Sequence, residues 1–142
     1  MQRQRGFTLL ELLVVLAIIA VGVAGVRLSL RDSQETQLTR EAQRLVAMLE
    51  AARVQSRTRG VPLLWEPSPQ GFVIRAAGTN PSQPWVATRT EAWLDTDTQA
   101  SSTQAVWLGP EPILAPTRIT LSVANKSLMI ATDGLRPFEV RP

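Results

Sequence analysis

Apolar residues run almost without interruption from Phe7 to Val26, and the polar side chains within that run are Thr8 and the carboxylate Glu11. Twenty residues form a helix about 30 Å long, the thickness of a hydrocarbon core, so the pattern predicts a membrane segment over 7–26. The leader ahead of it, Met1–Gly6, is polar and carries Arg3 and Arg5. By the positive-inside rule these arginines hold that end in the cytoplasm and send the rest of the chain across. A carboxylate at the centre of a spanning helix costs about 2.5–3.5 kcal/mol and less near its end. Glu11 therefore calls for a compensating partner.

Beyond Val26 nothing stops the helix before Gly60, which is followed by Pro62, a strong stop signal. Leu38, Ala42, Leu45, Leu49, Ala52 and Ser56 recur at alternating steps of four and three, a narrow stripe on one helix face. Arg40, Glu41, Arg44 and Arg53 fall off that stripe. The stretch 27–60 is thus expected to be a helical stem continuing the membrane segment and packing its stripe on a small domain. After Gly60 the period changes to two. Val61–Glu66 and Phe72–Ala76 flank the turn Pro67–Gly71 and read as a hairpin. Short strands are expected at Trp85–Thr88, Glu91–Leu94 and Ala105–Leu108. Thr117–Val123 and Ser127–Thr132 form a clearer pair around Ala124-Asn125-Lys126. Pro137–Arg141 reads as a last strand with Phe138 and Val140 facing inward, and the polar run Asp95–Gln104 as a mobile loop. The expected fold is α+β, a long N-terminal helix against a small antiparallel β-sandwich over 61–142.

Composition narrows the functions open to such a chain. Its 142 residues include no cysteine and no histidine, which removes disulfides, thiolate chemistry, the commonest general base and the commonest transition-metal ligand. The net charge is +3, and without Arg3 and Arg5 it is +1, from 13 basic and 12 acidic residues. The remaining basic excess lies on the stem, as expected of a solvated helix face, while 60–142 is nearly neutral.

Candidate chemistry is sparse. Asp95-x-Asp97-x-Gln99 opens like a calcium loop, but Ala100 stands where glycine is needed and Val106 where the closing glutamate is needed. Trp65, Trp85, Trp93 and Trp107 fall in or beside predicted strands and are expected to pack in the core. No catalytic triad, phosphate loop or metal-ligand cluster is present in the sequence, so neither an enzyme nor a cofactor is expected. Small residues at Gly22-Val23-Ala24 have the spacing of a signal-peptidase site, yet the uninterrupted stem favours keeping the segment. A cut after Gly6 would instead leave a free amine on Phe7, four residues from Glu11 on the same helix face. An amine and a carboxylate in lipid relieve each other's cost by pairing, within one chain or between two.

Gly6-Phe7-Thr8-Leu9-Leu10-Glu11 and the run to Leu16 resemble the prepilin-type signal of type IV pilins and type II secretion pseudopilins. The resemblance implies cleavage between Gly6 and Phe7 by a prepilin peptidase, N-methylation of Phe7, and an assembly role for Glu11. Leu45-x-x-x-Leu49-x-x-Ala52-Arg53-x-x-Ser56-x-x-Arg59-Gly60-x-Pro62 and Asp133-Gly134-x-x-Pro137-Phe138-x-Val140 resemble the H-type minor pseudopilins and the related FimT-like minor pilins. The absence of a paired-cysteine loop favours a pseudopilin. The absence of a carboxylate-rich C-terminal calcium loop argues against the major one. The resemblance further implies an inner-membrane, single-pass subunit with its C-terminal domain in the periplasm, partnered by other minor pseudopilins and the major pseudopilin, and helping to export folded proteins. A FimT-like minor type IV pilin acting in pilus assembly or DNA uptake is the alternative. Its motivation is Arg136 and Arg141 together with the stem arginines, but the tail also holds Glu139 and no tight arginine cluster, so phosphate contacts would be few. A membrane-anchored periplasmic hydrolase is the second alternative, opposed by the missing histidine.

Overall fold

The four-three spacing of the stem and the alternation after Gly60 both become structure. The computed structural model describes residues 9–80 and 82–141, and its chain divides between Gln34 and Glu35 into two compact units. Helix α1 runs Leu9–Arg59. It ends at Gly60, whose φ of 65° lies in the left-handed region where a Cβ is disfavoured.

In the first unit the described side chains are those of Leu9–Gly22, all exposed, and of Gln34, which is half-buried. Among the described residues, no helix is long and apolar enough to cross a membrane. Phe7, Thr8 and the side chains of 23–33, which complete the apolar run and begin the stem, lie outside the described residues.

The second unit contains eight strands: β1 Leu63–Ser68, β2 Gly71–Asn80, β3 Gln83–Ala92, β4 Gln99–Ser102, β5 Val106–Leu108, β6 Thr117–Val123, β7 Lys126–Thr132 and β8 Glu139–Arg141. They form two four-stranded antiparallel sheets, ordered β3-β2-β1-β5 and β4-β6-β7-β8. β6 alternates as the sequence predicts, with Thr117, Ile119, Leu121 and Val123 buried. The helix stripe, Leu63, Trp65, Phe72 and Ile74 of the first sheet, and Ile119, Leu121 and Ile130 of the second share one core. Burying side chains of this size is worth roughly 1.5–3 kcal/mol each, so the helix completes the core of both sheets.

Several expectations change in detail. Trp85–Thr88 and Glu91–Leu94 are not separate strands. β3 runs through both to Ala92, with a register shift opposite Ile74/Arg75 that lets a long strand follow the twist of β2. The run Asp95–Gln104 is not all loop. Gln99–Ser102 forms β4 on the edge of the second sheet, pairing Ala100 with Leu121, because an edge strand needs only backbone pairing and tolerates polar side chains. Its entry is a turn in which Asp95 accepts the Asp97 N–H at 2.9 Å and the Thr98 N–H reaches the Asp95 carbonyl at 3.0 Å. The last strand begins at Glu139, later than expected; Phe138 is buried ahead of it and Val140 is half-buried against the core.

The tryptophans split into two pairs. Trp65 and Trp93 are buried on either side of Phe72, at ring separations of 6.2 and 5.2 Å. Trp107 is 49% exposed and meets Trp85 edge-on at 5.4 Å. Trp107 pairs with Leu64, the neighbour of inward-facing Trp65, so it faces outward from the sheet.

Candidate functional site

Of the residues singled out in the sequence, Gly6 and Phe7 lie outside the described residues. Glu11 stands in the first turn of α1 and is exposed. Around it Leu9, Leu10, Leu12 and Leu13 are 83%, 74%, 55% and 62% exposed, and the exposed apolar side chains continue to Val21 on every side of the helix. An apolar surface covering a helix all round belongs in lipid or inside an assembly.

The other end of the helix is tied to the β-sheets by charged residues that the stripe had placed outside the core. Glu41 is 1% exposed and Arg53 4% exposed. They belong to the i, i+4 row Glu41-Leu45-Leu49-Arg53, which borders the stripe and widens the buried face. Each is half of a Glu-Ala-x-Arg tetrad, at 41–44 and at 50–53, and the two tetrads act alike. Glu41 accepts the Leu94 N–H at 2.6 Å, while Arg44 donates to the Ala92 carbonyl at 2.8 Å and to Glu91 at 2.7 Å. Glu50 accepts the Phe138 N–H at 2.9 Å, while Arg53 donates to the carbonyls of Gly134, Arg136 and Pro112 at 2.9, 3.4 and 3.4 Å. The first tetrad thus holds the end of β3, and the second holds the turn leading into β8. This repeat was visible in the sequence as Glu-Ala-Gln-Arg and Glu-Ala-Ala-Arg.

The turn that Arg53 holds contains the closing Asp133-Gly134 of the sequence motif. Gly134 has φ 91°, and a Cβ there would run into the Leu114 carbonyl oxygen, so only glycine fits. The Leu114 N–H bonds the Gly134 carbonyl at 3.1 Å. Asp133 accepts the N–H groups of Arg136 and Leu135 at 2.8 and 2.9 Å. Those backbone donors, Arg136 first, hold its carboxyl below the ordinary aspartate value. Ser56, the last residue of the stripe, donates to the Val61 carbonyl at 2.7 Å and turns the chain from α1 towards β1. The family-like residues of the stem and of the C-terminus are therefore two sides of one joint.

No group of three or more potential metal ligands is present among the described residues. The Asp95 carboxylate is engaged by the Asp97 N–H in the turn into β4. Two buried donors, Arg53 Nε and Trp65 Nε1, lack a hydrogen-bond partner among the described residues.

Comparison with models of protein families gives two matches. Residues 1–26 match the prokaryotic N-terminal methylation motif, and residues 41–135 match the type II transport protein GspH. Comparisons with curated proteins and with solved structures gave no match. The second match spans both tetrads, seven of the eight strands and the Asp133-Gly134 turn. On that match, over an α+β fold of pilin-like design, the chain belongs to the GspH family of type II transport proteins, as a structural subunit of the pseudopilin kind and not an enzyme.

Proposed function

We propose that this chain is a minor pseudopilin of the type II secretion pseudopilus, working near its tip to help export folded proteins across the outer membrane. The observation that carries the reading is one helix bearing two different signals. Its start falls within the methylation-motif match over 1–26, and its end within the GspH match from 41. In this reading residues 1–6 are a leader, 7–26 the membrane segment, 27–60 the periplasmic stem and 61–142 the periplasmic β domain.

Prepilin peptidase cuts between Gly6 and Phe7 and methylates the new amine. The subunit waits in the inner membrane as a single-pass protein and joins other pseudopilins through its apolar helix. Glu11 acts at that step. Its carboxylate meets a Phe7 amine in a low-dielectric setting, where an ion pair is far stronger than in water. A side chain without charge cannot supply that attraction, whereas the leucines around it only need lipid or another helix.

The test separates processing from assembly. Glu11→Gln and Glu11→Ala subunits are followed for cleavage, for presence in the inner membrane, and for co-purification with the crosslinked pseudopilus. The reading expects cleaved, membrane-held subunits that fail to join. Normal incorporation of both variants would refute the assembly role of Glu11. Normal secretion in a strain lacking the chain altogether would remove the export role.

A further inference from the structure

Strand register places a second set of charged residues on the outer face of the β4-β6-β7-β8 sheet. Ala131 pairs with Arg118 on one side and Glu139 on the other, and Met129 pairs with Thr120 and Arg141. Directly paired residues point to the same face, and Ile130 between them is fully buried, so this set points away from the core. Small Ala131, 7% exposed, forms the floor of a cavity of about 420 Å³ walled by Arg118 and Arg141. That size lies in the roughly 300–1,000 Å³ range of ligand clefts.

The hydrogen-bonding capacity left in the cavity is selective. The Arg118 guanidinium makes no hydrogen bond or ion pair among the described residues, and Arg141 reaches Glu139 only at 4.0 Å. Three other side-chain donors on the wall are used. Thr117 donates to the Ala115 carbonyl, Thr132 to the Arg136 carbonyl and the Gln104 amide to the Pro116 carbonyl. What faces a ligand is two strong cationic donors and the Thr103 hydroxyl, beside two acceptors, the Gln104 amide oxygen and Asp133. A phosphate or a nucleic-acid backbone offers only acceptors and meets too few cations here. A peptide offers a carboxylate for the arginines and backbone N–H groups for the acceptors.

We infer that this cavity is a docking site for an acidic side chain carried on an extended segment of a partner polypeptide. The inference stands on the cavity alone and does not depend on the pseudopilin reading.

The test uses the full chain in detergent micelles, labelled with ¹⁵N. The amide signals of Ala131 and Thr132 are followed while acetyl-Ala-Glu-Ala amide is added. A saturable shift is expected, with Arg118→Gln and Arg141→Gln each weakening binding about tenfold, the size of one charge-assisted contact. Ala131→Val fills the floor and should abolish the shift with both arginines in place. Arg75→Gln, which removes the partner of Glu66 on the other sheet, should leave it unchanged. The Gln-containing peptide and inorganic phosphate should bind at least fivefold more weakly than the Glu peptide. No saturable shift, equal binding of the Gln peptide, stronger binding of phosphate or of a single-stranded oligonucleotide, or an unchanged response in both arginine variants would each overturn the inference.

Discussion

The stretch Leu9–Val21 and the stretch Leu38–Ser56 belong to one helix and meet opposite fates. In the first, apolar side chains cover every face and remain exposed, with Glu11 the sole charge. In the second, one stripe is buried to 4% exposure or less, and charged residues border it. The second stretch is satisfied by its own β-sheets, since its apolar area matches theirs and its bordering charges find backbone partners. The first is apolar on every face, a pattern suited to lipid and to other helices. A single helix therefore carries two kinds of information, how the subunit folds and how it is held by something else.

Substitutions can break this contrast. Leu49→Ala, at a fully buried position, should cost about 2–5 kcal/mol and lower the melting temperature followed by tryptophan fluorescence. Leu16→Ala, 58% exposed, should leave that transition in place. Equal losses from both would mean that the first stretch also packs on the folded domain.

Gly134→Ala comes next. The left-handed φ and the collision with the Leu114 carbonyl together should cost at least about 2 kcal/mol. Hydrogen exchange should show the loss first in β8.

The two tetrads sharpen the comparison within the packed half. Arg53→Met removes a charged donor from three carbonyls in a buried place, each of which keeps one other donor, and should cost about 1–3 kcal/mol. Arg44→Met should cost less, about 0.5–1 kcal/mol, because Arg44 and Glu91 are each 24% exposed so that water replaces their contact, and buried Glu41 keeps the Leu94 N–H. The reverse order would contradict the assignment of the buried joint to Arg53.

The smallest effect is on pH. Glu35 is held below its ordinary value by its hydrogen bond from Lys126, Glu91 by Arg89, and Asp133 by backbone N–H groups. A carboxyl whose folded value is lowered adds stability above its unfolded value, and that stability is lost as pH falls through the folded value. Thermal stability of the packed unit should therefore be level near neutrality, where a chain without histidine has little to titrate. It should decline as pH drops below about 4.5, the ordinary glutamate value. Lys126→Met should flatten part of that decline.

Periodicity made the stripe, the Gly60 stop and the β6–β7 pair legible, since each arises from local pattern. It did not disclose that Glu41 and Arg53 would be buried, because a four-three stripe describes apolar contacts and says nothing of carbonyls approaching from distant turns. β4 was missed for a related reason. Its partner β6 lies some twenty residues on, and an edge strand of Gln-Ala-Ser-Ser has no apolar alternation to announce it. Trp107 and Trp85 fit the strand pattern but face outward, and strand propensity alone does not choose a face. The cut expected between Gly6 and Phe7 rests on resemblance to a known signal and lies outside the described residues.

The most direct test of the two-part helix is the N-terminus of the protein extracted from membranes, read by intact mass and N-terminal sequencing. A chain that begins at Phe7 and carries one added methyl group on its amine is the expected result. A chain beginning at Met1, or one beginning at Gly25 after loss of the apolar run, would contradict the division of the helix into a membrane half and a packed half.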